Sequence, residues 1–387
     1  MRWIDRERLR PVRAEALATL LAGAAGQAAQ RPAWHIDRAR AHERAGDYAA
    51  AAQSYEAAQH LDPPAFRAWP NLAAAYNKLR RHDLALAVGD RAGSPTAALV
   101  SEQARALRKL GREADAIAIL RPVLAQDGAE TAIAMLLRML AIKDDGAMLL
   151  EVCDGLIPRY ANTAFARAHR AIALSRVGRT ADALAMVDLE RHVVRIPFTP
   201  PAALGAPETF NRELAEEILA DPSPYSPVRD NLELNWAPAA GRSPRFAALY
   251  DFIRSEMLRY IDDMPRRGLD SVLAPKPDAA HFSSFNVVLR KDGSNGEHVH
   301  ALSYISAVYH VVVPRAVVQA NDTRGALALG CCTSVTNGYA PCWGVRHIKP
   351  AAGWLTLFPA HFFHDVVPSR TDAPRISVAA DLKPVRD

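Results

Sequence analysis

The stretch EHVHALSYISAVYH, Glu297 to His310, decides how the chain is read. It opens with two histidines one residue apart and closes with a third, and the run YISAVYH between them has strand character. On a strand, His298 and His300 at i and i+2 project from one face and can reach the same ion. Two ligands do not make a metal site, and a polar surface turn can carry the same letters, so the rest of the chain must supply more.

A third histidine comes from GWLTLFPAHFFHDVVP, Gly353 to Pro368, where His364 follows an apolar strand and sits at its mouth. His361 competes for that role but precedes two phenylalanines and reads as a turn residue. The segment PSRTDAP then forms a plausible hairpin turn into RIS, Arg375 to Ser377. With Arg375 and Ser377 on one strand face, the arginine is suited to a bidentate grip on a carboxylate. Asn286 and Arg290 alternate along FNVVLR, where they either line a pocket or serve as a structural hydrogen bond and a surface charge.

The last hundred residues hold the short strand-like runs FSSFNVVLR, YISAVYHVVV, GALALGC, GWLTLFP and RISVAADL, separated by turns rich in Gly, Pro, Asp and Asn. Many short strands with turn signals suggest a sandwich or barrel of the jelly-roll kind. Two helical stretches, NRELAEEILAD and FAALYDFIRSEMLRYIDDM, precede them. Upstream again, RIPFTPPAALGAPETFN from Arg195 carries four prolines and ends a different pattern, which places a boundary near 196.

That pattern is a repeat. AGDYAAAAQSYEAA at Ala45, LRRHDLALAV at Leu79, LGREADAIAIL at Leu110 and VGRTADALAMV at Val177 recur with a weaker copy around Lys143, at spacings of 31 to 34 residues. This is close to the ~34-residue helix–turn–helix solenoid repeat. Gly46, Gly111 and Gly178 are placed to end the first helix of a pair, and Ala51, Ala85, Ala116 and Ala183 stand where helices pack closely. Residues 31–195 resemble the tetratricopeptide repeat family, which implies a concave surface for a protein or peptide, although an array can also merely support its neighbour or form a homodimer.

At 387 residues the chain suggests two domains, and with 50% hydrophobic and 23% charged residues it has the balance of a folded globular protein. A net charge of +5 spread along the chain gives no reason to expect nucleic acid or an anionic membrane surface as partner. No segment approaches the ~18 apolar residues that span a bilayer. Residues 1–30 read as a helix rather than a signal peptide because acidic residues interrupt a short apolar part. Cys153, Cys331, Cys332 and Cys342 lack CxxC spacing and read as cytoplasmic thiols.

Taken together, H-x-H, an apolar strand, Gly325 opening another, G-x-L-x-L-F-P, His and R-x-S resemble the iron(II)- and 2-oxoglutarate-dependent dioxygenases over residues 196–387. The chain is most similar to bacterial dioxygenases that carry tetratricopeptide repeats ahead of the catalytic domain, in its VVLR, HVH, SAVYH, LFPA, HFFH and RIS segments. The resemblance implies an α+β multidomain architecture: an N-terminal all-α tetratricopeptide-like solenoid, then a double-stranded β-helix (jelly-roll) domain with flanking helices. It implies Fe(II) held by His298, His300 and His364. It further implies 2-oxoglutarate anchored by Arg375 with Ser377, and O2-dependent hydroxylation of a C–H bond with release of succinate and CO2.

His310 stands where the family pattern has a tyrosine, so His310 and its neighbour Tyr309 are this strand's co-substrate candidates, on opposite faces if the strand is regular. The chain departs from the wider superfamily at His300, where most members have Asp or Glu, and at Ala307, where the pattern has glycine. Two other readings stay open: a three-histidine zinc hydrolase, and a repeat-based protein-binding scaffold with a catalytically degenerate jelly roll.

Overall fold

A computed structural model describes residues 29–158, 164–221, 226–229, 231–235, 243–269, 272–273 and 276–385. The helix expected over residues 1–30 lies, apart from its last two residues, outside them. Contacts divide the chain into two compact units, 1–139 and 140–387.

The first unit holds helices α1 (Pro32–Ala45), α2 (Tyr48–Leu61), α3 (Trp69–Lys78), α4 (His82–Ala92), α5 (Ala97–Lys109) and α6 (Glu113–Leu120), and the division falls within α7 (Glu130–Lys143). Helices pair in sequence, α1 with α2, α3 with α4 and α5 with α6. The turn inside each pair starts from a left-handed residue: Gly46 at φ 78°, Arg80 at 57° and Gly111 at 74°. Asp144 at 65° and Gly178 at 76° repeat it later in the chain, so the period read from letters is a period of backbone geometry. Glycine adopts this conformation without a Cβ clash. After the first turn, Asp47 accepts a hydrogen bond from the Ala50 N–H at 3.0 Å, capping α2. Ala51, Ala85 and Ala116 are fully buried, as close helix packing requires.

The second unit opens with α8 (Gly146–Leu156), α9 (Ala164–Arg176) and α10 (Thr180–Met186). The composition change near 196 and the contact division at 139 therefore fall at different places. The physical reason is polar contact: Ser175 Oγ meets Tyr339 Oη at 2.7 Å, Arg176 donates to the Thr336 carbonyl at 3.1 Å and Arg167 to the Val272 carbonyl at 2.9 Å. Repeat periodicity records how helices pair locally. It does not record which loops a helix later meets.

The strands are β1 (Val194–Pro197), β2 (Ser226–Arg229), β3 (Leu232–Asn235), β4 (Ala280–Leu289), β5 (Ile305–Val312), β6 (Leu327–Leu329), β7 (Arg346–Ile348), β8 (Trp354–Pro359), β9 (His364–Val366) and β10 (Arg375–Pro384). They form an antiparallel seven-stranded sheet, β1-β8-β5-β10-β4-β3-β2, and a three-stranded sheet, β7-β6-β9. Alternation divides the large sheet's residues between two cores. Ile305, Ala307 and Tyr309 of β5, with Ile376, Val378 and Ala380 of β10, pack on α11 (Pro207–Ala220) and α12 (Pro244–Asp262). Phe285, Val287, Phe358 and Ala379 pack instead with Leu327, Leu329, Ile348 and Val366 of the small sheet. The site lies on this second, inter-sheet face. Among the described residues no helix is long and apolar enough to cross a membrane.

Candidate metal centre

His298 and His364 come together because His298 forms a single β-bridge with the first residue of β9. The two backbones exchange N–H···O bonds of 3.1 and 2.9 Å. EHVH is thus an isolated bridge rather than a strand, which corrects the expectation of a regular strand there. Glu297 ties down its start, accepting from the Ser334 N–H at 2.7 Å and from the hydroxyls of Thr333 and Ser334. One potential ligand atom from each of His298, His300 and His364 lies within 4.8 Å of the others.

Hydrogen bonds determine which nitrogen faces the centre. Nδ1 of His298 lies 2.7 Å from the Gly296 carbonyl and Nδ1 of His364 lies 2.9 Å from the Phe362 carbonyl. A carbonyl can only accept, so both Nδ1 atoms carry a proton, and in the neutral ring it is Nε2 that bears the lone pair. His300 Nδ1 lies 2.6 Å from Asp381 Oδ1, which turns its Nε2 edge toward the other two rings. The Nε2 atoms of His298 and His300 stand 3.3 Å apart, within hydrogen-bonding distance. Two nitrogens bound near 90° to an ion at the usual ~2.1 Å are about 3 Å apart, so the spacing of the pair matches chelation. Burial, and then the neighbouring His298 and His300, hold His364 well below the ordinary histidine range. Its imidazole is neutral, as a metal ligand must be. His361, the rival, is buried and donates from Nε2 to the Met186 carbonyl at 2.9 Å, away from the centre.

A second cluster sits on the same inter-sheet face. Arg375 is 1% exposed, and among the described residues its guanidinium has no carboxylate partner and its Nε no hydrogen bond. Desolvation pushes it down to about 10, which leaves it charged at neutral pH. One of its terminal nitrogens lies 3.4 Å from His310 Nδ1. His310, fully buried, is held well below its usual range by desolvation, then by Arg375 and Arg195. A neutral His310 accepting at Nδ1 carries its proton on Nε2, which is itself buried and unpartnered. Ser377 stands opposite His310 in the β5–β10 register. Thr356 of β8, opposite Val308 on the same face, adds a buried hydroxyl without a partner. An isolated buried cation costs several kcal/mol. Arg375 is therefore suited to an anion, and His310 Nε2 and Thr356 Oγ1 are further buried, unpartnered donors on the same face.

Tyr309 does not join them. Strand alternation turns it to the helical face, where its hydroxyl donates to Asn211 Oδ1 of α11 at 2.7 Å, so its assignment to the co-substrate is corrected. Asn286 shares that opposite face with Val288, while Phe285 and Val287 face the small sheet. Asp381 and Thr356 were missed. Their only sequence signal is a polar residue at even spacing from Arg375, or inside an apolar strand. Beside His298, His300 and Asp381 opens a cavity of about 400 Å³ with apolar walls from Leu232, Leu234, Phe285 and Leu302 and a rim at Lys383.

Residues 283–381, which include the three histidines and both ends of the anion cluster, match a family described as "Putative 2OG-Fe(II) oxygenase". No curated protein sequence matches. Among solved structures, a Pseudomonas putida prolyl-4-hydroxylase aligns at 16% identity and TM-score 0.34, over 54% of this chain and all of that one. HygX from Streptomyces hygroscopicus, with nickel, 2-oxoglutarate and hygromycin B bound, aligns at 10% identity and TM-score 0.36, over 54% and 87%. YrrB, a TPR protein with an unusual peptide-binding site, aligns at 18% identity and TM-score 0.34, over 44% and 90%.

Proposed function

The chain belongs, through residues 283–381, to this 2OG-Fe(II) oxygenase family, and on that premise we propose that it is an Fe(II)- and 2-oxoglutarate-dependent oxygenase that hydroxylates a C–H bond. The observation that carries the reading is Arg375: a buried guanidinium that has no carboxylate partner among the described residues, on the face that also bears the ligands' support. In this reading the two sheets are a double-stranded β-helix. His298, His300 and His364 hold the iron through Nε2. Iron, when bound, supplies the redox chemistry by which dioxygen and 2-oxoglutarate yield succinate and CO2.

The chain's own residues do the rest. Arg375 and Ser377, with His310 and Thr356 donating from adjacent strands, grip the distal carboxylate of 2-oxoglutarate, and burial makes those contacts strong. Phe285, Leu232 and Leu234 exclude water from one side of the centre and leave a cavity for the substrate. Bonds at Nδ1 fix the ring orientations and keep each Nε2 turned toward the centre. The helical repeats of residues 31–195 provide a surface for a protein or peptide, as substrate or as partner.

The three-histidine zinc hydrolase reading uses the same ligands but gives Arg375 no anion. One experiment separates the two. Protein incubated anaerobically with ferrous iron and 2-oxoglutarate, then exposed to oxygen, is expected to form succinate, and His298→Ala or His364→Ala to abolish it. Iron and 2-oxoglutarate binding that survives both substitutions would overturn the site.

A further inference from the structure

The three ligand imidazoles are not held alike. His298 and His364 each donate from Nδ1 to a neutral carbonyl two residues earlier in their own segment. His300 alone donates to a carboxylate, and that carboxylate comes from a distant strand: Asp381 of β10, at 2.6 Å. Asp381 is 4% exposed. Its Oδ1 also receives the Ser306 hydroxyl at 2.8 Å, across the β5–β10 register in which Asp381 and Ser306 are paired. Among the described residues His300 is its one ion-pair partner. The carboxylate is thus held by Ser306 on one side and by the Nδ1 edge of His300 on the other, which leaves the far edge of that ring turned to the centre. A divalent cation on the far nitrogen of that imidazole would place a positive charge in line with this carboxylate.

We propose that Asp381 is a positioning residue for the metal. Its carboxylate fixes the ring orientation and tautomer of His300 and, through one hydrogen bond, returns to a set of three neutral ligands the negative charge that a directly bound carboxylate would give. The inference rests on the proposed metal centre but concerns a residue that does not touch the ion. It also explains how His300 can stand at a position where a carboxylate ligand is the superfamily's usual choice. The β10 row then carries both halves of the site, the co-substrate anchor at Arg375 and the support of a ligand six residues on.

The test measures Co(II) binding to the full chain by calorimetry, together with the visible Co(II) bands, so no turnover is needed. The parent is expected to bind one Co(II), and Asp381→Asn to bind it roughly 10- to 100-fold more weakly with shifted bands and an unchanged thermal transition without metal. His300→Asp places a carboxylate in the set directly, and adding Asp381→Asn to it is expected to cause no further loss. Unchanged affinity and bands in Asp381→Asn would overturn the proposal. So would an equal loss in both backgrounds, which would make Asp381 a support of the strand alone. If the parent binds Co(II) and His298→Ala abolishes it while Asp381→Asn does not matter, only this inference falls; a parent that takes no Co(II) removes the metal centre as well.

Discussion

Arg375→Met is expected to make the unliganded protein more stable while destroying its affinity for 2-oxoglutarate. Burial lowers the guanidinium from 12.5 to about 10. At neutral pH it is charged in both the folded and the unfolded chain, so the fall measures destabilisation of the fold, about 3 kcal/mol at 1.36 kcal/mol per pH unit. Methionine of similar length removes that cost and leaves His310 Nδ1 without its donor, a loss of about 1 kcal/mol. The net expectation is about 2 kcal/mol of added stability in the unit that contains residues 140–387. Urea unfolding without metal or co-substrate reads this directly. In the parent, 2-oxoglutarate at a hundred times its dissociation constant should add about 2.7 kcal/mol, and in Arg375→Met nothing. A variant destabilised by more than 1 kcal/mol, or one still stabilised by 2-oxoglutarate, would refute the argument that Arg375 is an uncompensated charge awaiting an anion.

Acid should weaken the fold through its buried histidines. His361 is pushed down to about 3 and His310 well below its usual range, so the unfolded chain binds more protons. Their contribution is complete above pH ~6.5 and lost as pH falls from there toward the folded values, at about 1.4 kcal/mol per pH unit for each; a stability curve flat between pH 6.5 and 5 would count against it. Arg80→Gly should stabilise the first unit by about 1 kcal/mol, because Arg80 holds φ 57° where Gly46 and Gly111 stand in the neighbouring repeats; Gly46→Ala should cost a similar amount, both read by thermal unfolding. Tyr309→Phe should cost about 1 kcal/mol by loss of its bond to Asn211 and leave 2-oxoglutarate affinity unchanged in calorimetry. Thr356→Val, by contrast, removes an unpartnered buried hydroxyl, so it should not destabilise the unliganded protein but should weaken 2-oxoglutarate severalfold.

Much of the site could be read from letters because its parts are local. H-x-H, the histidine closing HFFH and R-x-S are spacings within one turn or one strand, and the glycines that end helices mark φ values near 75° that few other residues hold at no cost. Arg80 and Asp144 occupy the same turn without any such mark, and around Asp144 the repeat is faint. Tyr309 shows the limit from the other side. The residue type suits a co-substrate contact, but strand parity sends it to Asn211 and leaves His310 to face the site.

The sequence by itself determined the repeat, the strand-rich second half, the three histidines and the arginine, since each depends on periodicity or on chemistry carried by a single side chain. Only the tertiary structure decided that Asp381 stands behind His300, that Thr356 and His310 share a buried sheet face with Arg375, and that helices after residue 139 group with the sheets. Those facts depend on register between strands far apart in the chain, and pairing register is set by the packing of whole faces rather than by any residue's neighbours in sequence.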